Sequence, residues 1–283
     1  MFAKNQYQLL DFGDGLRLER FGKYILERPC PAAEGFQKAE EKLWKSAHAR
    51  YVRHDDEGTW RSRGTIPLSW PINHASTTME LKLTDFGHVG VFPEHSGNWD
   101  WITQQLKANS GTLRVLNLFA YTGGATLACA AAGAEVVHVD SAQNSVLWAR
   151  RNTEASGLRD ATIRWITEDA LKFVGREIKR GNKYHVVIID PPSYGHGPKG
   201  EVWKIQEHLP ELLEKCMELT REDPRFILLS SHTTGYLPND LQQMLAEALG
   251  KRRGRLESGG LAIRAADGRQ LPSGIAVRWI AGS

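Results

Sequence analysis

Residues 114–140 read RVLNLFAYTGGATLACAAAGAEVVHVD, and this stretch decides the fold. An apolar run at 114–119 leads into a glycine turn at Gly123 and Gly124. A helix of small residues follows, and a second apolar run at 135–140 ends on an acid. Strand, glycine turn, helix and strand closed by a carboxylate is the arrangement that holds a nucleotide-shaped cofactor at the carboxyl ends of a parallel sheet.

The same alternation continues to the end of the chain. Further apolar runs occur at 161–167, 184–190, 225–231 and 274–280, and helical periodicity fills most intervals between them. The clearest helices are AQNSVLWARRNTEASG and EVWKIQEHLPELLEKCMELT; in the second, Val202, Ile205, Leu209, Leu212, Leu213 and Cys216 recur at three and four. Repeated strand and helix predict an α/β fold with a mostly parallel, Rossmann-like sheet covered on both faces. Near the end, RLESGGLAIRA and GIAVRWIAGS are separated by ADGRQLPS, which predicts a closing hairpin and an antiparallel last strand.

The leading residues are of another kind. YQLLDFGDGLRLERFGKYILERP is short, alternating and rich in turn signals, and a helix is expected in AAEGFQKAEEKLWKSA. The chain therefore divides into a small β-rich domain, residues 1–107, available for substrate binding, and a larger cofactor domain, residues 108–283. Five of the nine tryptophans (Trp44, Trp60, Trp70, Trp99, Trp101) fall in the first part. They serve either as filling for a small core or as stacking surfaces for a base.

Composition sets the outer limits. With 283 residues and 41% hydrophobic content, the chain can bury about three quarters of its unfolded surface. No run of 18 apolar residues occurs, and the opening MFAKNQYQLLDFGDG lacks a signal-peptide profile. The expected location is the cytoplasm, with no membrane partner. Cys30, Cys129 and Cys216 form no CxxC pair, which argues against a zinc site or a disulfide framework and predicts reduced, buried thiols; no metal is expected. The formal net charge is +3; Lys plus Arg balance Asp plus Glu at 14 each up to Leu113, and stand at 22 against 19 beyond it. Charge thus permits a nucleic-acid substrate without arguing for one, and KRRGR at 251–255 reads equally as a solvated loop.

The turn after the first strand runs Asn117, Leu118, Phe119, Ala120, Tyr121, Thr122, Gly123, Gly124 and does not match GxGxxG, whose glycines let backbone approach a pyrophosphate. A nicotinamide dinucleotide is disfavoured, and S-adenosyl-L-methionine fits better. Asp140, at the end of the second strand, is placed to accept ribose hydroxyls. Asp169 follows the third strand, where it can accept from an adenine amino group or cap a helix. IIDPPSYG ends the fourth strand with Asp190, Pro191 and Pro192, a rigid turn beside the cofactor.

VLNLFAYTGGAT, VVHVDSAQNSVLWARRNTEASGL, EDAL and VVIIDPPSYG, preceded by DFGHVGVFPEH, span residues 85–235 in an order that resembles class I S-adenosylmethionine-dependent methyltransferases, and among them the group that modifies bases of large-subunit ribosomal RNA. The resemblance implies a seven-stranded sheet, an RNA substrate, and roles for particular residues. Asn117, Phe119, Ala120, Tyr121, Thr122 and Gly123 would wrap the methionine part; Asp140 and Ser141 would hold the ribose, and Asp169 the adenine. Asp190, Pro191, Pro192, Ser193 and Tyr194 would line the methyl-transfer pocket, with Asp190 also touching the cofactor.

Methylation at cytosine C5 needs a thiolate that adds to the ring, and no cysteine occurs in IIDPPSYGHG or ILLSSHTTGY, where the group would carry one. The stretches VLWARRN and DPPSYGHGPKGEVWKIQEH look more like guanine-N7 members, which implies direct in-line transfer to a lone pair. Ser193 stands where exocyclic-amine enzymes place an aromatic. His88, His95, His196 and His232 are candidate proton acceptors or plain loop histidines. The alternatives are a small-molecule methyltransferase and a catalytically inactive RNA- or protein-binding adaptor on the same fold.

Overall fold

A computed structural model describes every residue except 55, 56, 221 and 283. Its contacts group into two units: Met1–Gly97 with Ala262–Ser273, and Asn98–Leu261 with Gly274–Ser283.

The first unit is built on a five-stranded sheet of β1 (Tyr7–Gly13), β2 (Leu16–Phe21), β3 (Tyr24–Pro29), β4 (Ala49–His54) and β5 (Glu57–Ser62), joined in that order. Neighbours are antiparallel except β3 and β4, which run parallel. A separate hairpin pairs β6 (Trp70–His74) with β7 (Thr77–Leu81). Between β3 and β4 the expected helix is reduced to a single turn, α1 (Glu41–Trp44). Gly35 sits at φ +79°, which keeps the residues before it out of the helix, and the amides of Ala39 and Glu40 are taken by the Asp11 carboxylate at 3.1 Å each. The core reading of the tryptophans holds for this unit. Trp44 and Trp70 are buried, and the indoles of Trp44, Trp60 and Trp70 donate to Asp11, Thr84 and Phe21 respectively.

Charge is also buried here. Glu19 of β2 is fully enclosed and accepts from Tyr7 Oη at 2.9 Å and from Arg28 Nε and Nη2 at 2.9 and 2.6 Å. Arg17 Nε lies 3.3 Å from the same carboxylate. Strand geometry explains the meeting: positions 17 and 19 share one face of β2, and Arg28 stands opposite Arg17 on β3. Burial alone would raise the Glu19 carboxyl, but Arg17 and Arg28 together hold it below the usual range.

The second unit opens with α2 (Ser96–Ala108), which begins just inside the first. Then come β8 (Arg114–Leu118), α3 (Gly124–Ala131), β9 (Glu135–Asp140), α4 (Gln143–Ala155), β10 (Ile163–Thr167), α5 (Ala170–Lys179) and β11 (Val186–Ile189). A short ribbon, β12 (Tyr194–His196) with β13 (Val202–Lys204), precedes α6 (Ile205–Leu219), β14 (Phe226–Ser231), α7 (Pro238–Leu249), β15 (Gly254–Arg264) and β16 (Gln270–Ala281). The large sheet has the order β10-β9-β8-β11-β14-β16-β15. Strands β8 to β11 and β14 are parallel, and β16 is antiparallel to β14.

Alternation along the strands sorts the core into two layers. Leu116, Leu118, Val137, Val139, Val187 and Ile189 pack against α5, α6 and α7. Val115, Val136, Val186 and Ile188 face the other way, onto Ile102 and Leu106 of α2 and Cys129 of α3. All three cysteines are free and buried. One helix is shorter than expected: Val202 lies in β13, because the Gly-Pro-Lys-Gly turn ahead of it returns the chain as a ribbon, and α6 starts only at Ile205. Arg252 of KRRGR donates to Thr220 Oγ1 at 2.9 Å and to the Met217 carbonyl, closing the end of α6, while Arg255 pairs with Glu257.

Replacing Glu19 by glutamine leaves two buried guanidiniums without their counter-charge and should lower stability by about 3 kcal/mol. Because the folded carboxyl is held below its ordinary range, its contribution is complete above that range and is lost as pH falls through the lowered folded value. Urea unfolding of the two proteins should therefore show a wide gap at pH 7 that closes in acid; an equal gap at both would contradict this.

Candidate active site

Strand β8 has β9 on one side and β11 on the other, so the chain reverses direction across the sheet at this point. Open α/β sheets bind ligands outside the carboxyl ends of the strands at such a reversal. Four loops meet there, one each after β8, β9, β10 and β11.

The loop after β8 is strained. Phe119 and Tyr121 have φ of +56° and +48°, a region non-glycine residues avoid at a cost of about 1–3 kcal/mol each. Hydrogen bonds hold them in place. Ala120 N donates to the Val139 carbonyl at 3.0 Å, Tyr121 N to Asp140 Oδ2 at 2.7 Å, and Asn152 Nδ2 to the Thr122 carbonyl at 2.8 Å. Asp140 Oδ1 accepts in turn from Ala142 N at 2.9 Å. Burial raises the Asp140 carboxyl, and these two amides act against the rise.

The two glycines of the turn serve packing. A Cβ on Gly124 would lie 2.4 Å from Cζ2 of Trp99, so the indole of α2 seats directly on the turn. Gly123 has φ +91° and would bring a Cβ to 3.0 Å from that of Ala149, which lets α4 approach. Neither is spaced to admit a pyrophosphate.

Beneath the loop runs a buried polar chain. Asn117 Nδ2 donates to Thr126 Oγ1 at 2.9 Å, and Thr126 Oγ1 lies 2.9 Å from His138 Nδ1. The hydroxyl accepts from Asn117 and shares a second hydrogen bond with His138 Nδ1, whose direction is set by the histidine tautomer. Burial drives His138 down to about 3, with the Arg150 charge acting the same way, so the ring is neutral. Asn117 is therefore a support of the loop, its amide engaged inside the fold.

A narrow pocket is lined by Phe119, Asp140, Ser141, Asp169 and Pro192 from the residues singled out in the sequence, together with Glu168, His196 and Trp203. Apart from His196, its ionisable lining is three carboxylates, and Glu168 is paired with Arg176 at 2.8 Å. Such a lining repels a pyrophosphate and suits a ligand carrying positive charge, as the sulfonium and ammonium of S-adenosylmethionine do. Asp169 caps α5, its Oδ1 accepting from Lys172 N at 3.0 Å, and the residue also lines the pocket.

Ribbon β12–β13 supplies the wall that the sequence reading missed. Gly195 stands opposite Trp203, both line the pocket, and Trp203 donates to the Pro192 carbonyl at 2.7 Å while its ring meets Phe119 at 4.8 Å. Glycines at alternate positions 195 and 197 before a Pro-Lys-Gly turn were the available signal. Glu201 ties the ribbon to α5 by accepting from Lys172 at 2.5 Å, a contact that pulls its carboxyl down to about 2. Tyr194 faces outward, 55% exposed, with its hydroxyl 3.3 Å from His196 Nε2. Asp190 ends β11 and accepts from Ser230 Oγ at 2.6 Å; His232 Nε2 is 3.7 Å away. In the first unit, burial first and then the charges of Arg28 and Arg17 lower His88 to about 4, while His95 is buried.

The solved structure of an S-adenosylmethionine-dependent methyltransferase from Agrobacterium tumefaciens is 35% identical and superposes with a TM-score of 0.94 over 99% of this chain and 91% of its own. Among curated relatives, ribosomal RNA large subunit methyltransferase K/L of Hahella chejuensis is 32% identical over 168 residues, 59% of this chain and 22% of its own length. Ribosomal RNA large subunit methyltransferase I of Escherichia coli is 24% identical over 86% of this chain and 65% of its own. The chain thus spans between about a fifth and two thirds of the curated relatives it matches. The sequence pattern of one family covers residues 34–223, which takes in all four loops of the pocket, and by that match the chain belongs to the S-adenosylmethionine-dependent methyltransferases.

Proposed function

We propose that this chain transfers a methyl group from S-adenosylmethionine to a base of structured RNA, that of the large ribosomal subunit, by direct in-line displacement. The observation that carries the reading is the joining, in one acid-lined pocket, of Asp140 and Asp169 with the Pro192 turn. The two curated relatives named above act on large-subunit ribosomal RNA according to their names, which supports the substrate class. When bound, the cofactor supplies an electrophilic methyl on a sulfonium. Asp140 keeps lone pairs beyond those used by Tyr121 and Ala142, and these accept the ribose hydroxyls beside Ser141. Asp169 takes the adenine end, and Phe119 through Gly123 cradle the methionine part over the Asn117 support. The turn from Asp190 to Tyr194 holds the acceptor base in line with the methyl. Residues 1–107 are assigned to RNA contact and 108–283 to the cofactor, and the protein is placed in the cytoplasm; among the described residues no helix is long and apolar enough to cross a membrane.

A covalent cysteine route has little to draw on. Burial pushes the thiols of Cys129 and Cys216 far up, and raises Cys30 as well, so none is set up as a thiolate. An inactive adaptor would have no use for a pocket that keeps its carboxylates.

Mass spectrometry of nucleosides from large-subunit ribosomal RNA, with and without the gene, tests the proposal: one methylated nucleoside should vanish on deletion, and an unchanged profile overturns it. Asp140→Ala removes charge-assisted bonds worth roughly 1.5–3 kcal/mol each and should weaken S-adenosylhomocysteine about tenfold or more by calorimetry, while NAD binds neither protein. Replacing Cys30, Cys129 and Cys216 together by alanine or serine should spare single-turnover methylation of total RNA and cost about 1–3 kcal/mol of stability. A collapse of that rate in the folded variant would return the substrate to cytosine C5.

A further inference from the structure

The double proline leaves the turn after β11 short of amide donors. Pro191 and Pro192 have no N–H to donate, so the turn is tied through the Pro192 and Ser193 carbonyls, which accept from Trp203 Nε1 and Ile205 N, and through the side chains at its two ends, Asp190 and Ser193. Both are met by the end of the neighbouring strand. Strand β14 pairs with β11 in parallel register as far as Ile189 with Leu229, and the next step along sets Ser230 beside Asp190. Phe226 to Leu229 are apolar and buried; Ser230 and Ser231 then bring hydroxyls into the same enclosed strand, each 1% exposed. A hydroxyl so deeply buried needs a partner. That of Ser230 donates to Asp190 Oδ1 at 2.6 Å, the short distance of a charge-assisted bond. Ser231 Oγ accepts from Thr233 N at 3.1 Å, and Thr233 Oγ1 reaches Ser193 Oγ at 2.8 Å. Strand β16 backs this corner closely: a Cβ on Gly274 would lie 2.7 Å from the Ser231 carbonyl and 2.8 Å from His232 Nδ1.

We infer that Ser230 is a positioning residue for methyl transfer, setting the Asp190 carboxylate and with it the direction of the 190–194 turn. The inference rests on the reading of that turn as the acceptor's seat. Ser230 acts through Asp190 alone, so its removal should change the chemical step and leave cofactor affinity as it was.

Ser230→Ala keeps the volume of the strand and removes only the hydroxyl. Turnover on total RNA at saturating S-adenosylmethionine should fall about tenfold or more, with S-adenosylhomocysteine affinity unchanged by calorimetry. Hydrogen exchange of the peptide covering 187–197 should accelerate relative to the rest of the sheet. In an Asp190→Ala background, Ser230→Ala should add nothing to either effect, because the two residues form one coupled unit. Additive losses in the double variant, or exchange in 187–197 that Ser230→Ala does not alter, would overturn the inference. The exchange arm reads the link whether or not total RNA holds the substrate. Accelerated exchange with full methylation would confirm the tie to Asp190 and overturn both its part in transfer and the placing of the acceptor at this turn.

Discussion

The cofactor end of the large sheet depends on one carboxylate. Asp140 accepts the amides of Tyr121 and Ala142 at 2.7 and 2.9 Å, and so joins the loop after β8 to the loop after β9. With the bonds from Ala120 N to the Val139 carbonyl and from Asn152 to the Thr122 carbonyl, it holds Phe119 and Tyr121 in left-handed backbone. Two such residues cost about 2–6 kcal/mol together, and a bond to an ionised acceptor returns about 1.5–3 kcal/mol, so the carboxylate offsets a large share of the strain. The chain beyond Tyr121 takes its course from this anchored loop: Gly123 turns into α3, Gly124 leaves room for Trp99, and Asn152 secures Thr122 from α4.

The protein uses buried polarity in two opposite ways. Under the loop, Asn117, Thr126 and His138 form a chain without net charge, since burial keeps the imidazole neutral. In the first unit, Glu19 and its arginines are charged and enclosed, and the carboxyl stays ionised only because Arg17 and Arg28 outweigh its burial. A neutral network tolerates the loss of a partner at the cost of one unmade bond, whereas an ionic one fails as a unit.

The strand pattern of the large sheet was legible because its apolar runs are continuous and separated by clear helical periods; the six expected runs all lie on observed strands, and the closing hairpin formed where Gly and Pro interrupt the period. The acids were legible by position, since Asp140 ends β9, Asp190 follows β11 and Asp169 stands between β10 and α5. Side-chain contact between residues distant in the chain escaped the sequence. Trp203 belongs to the pocket through its hydrogen bond to Pro192, eleven residues earlier, and in a helical reading of 202–216 it has no such neighbour. Ser230 reaches Asp190 across 40 residues, a pairing that only strand order reveals. The helix expected between β3 and β4 is cut short where Gly35 takes a positive φ and where Asp11, nearly thirty residues earlier, takes the amides of Ala39 and Glu40.

The pocket's charge bears on which acceptor atom suits the proposed reaction. In the proposed function Asp140 and Asp169 would stabilise a positively charged cofactor, and that stabilisation would oppose any step in which positive charge leaves their neighbourhood. In the proposed reaction a ring nitrogen that attacks with its lone pair becomes cationic as it is methylated, so the positive charge is passed on to the acceptor and not lost. A carbon acceptor must instead be activated first by an added nucleophile, and the buried thiols of this chain offer none. With Asp190 held by Ser230 at 2.6 Å, the carboxylate is fixed before the charge arrives and needs no reorganisation to meet it, which is how a preorganised group lowers a barrier. Under the proposed function, the acid-rich pocket, the rigid proline turn and the hydroxyl of β14 would all serve transfer to a lone pair already present on a base.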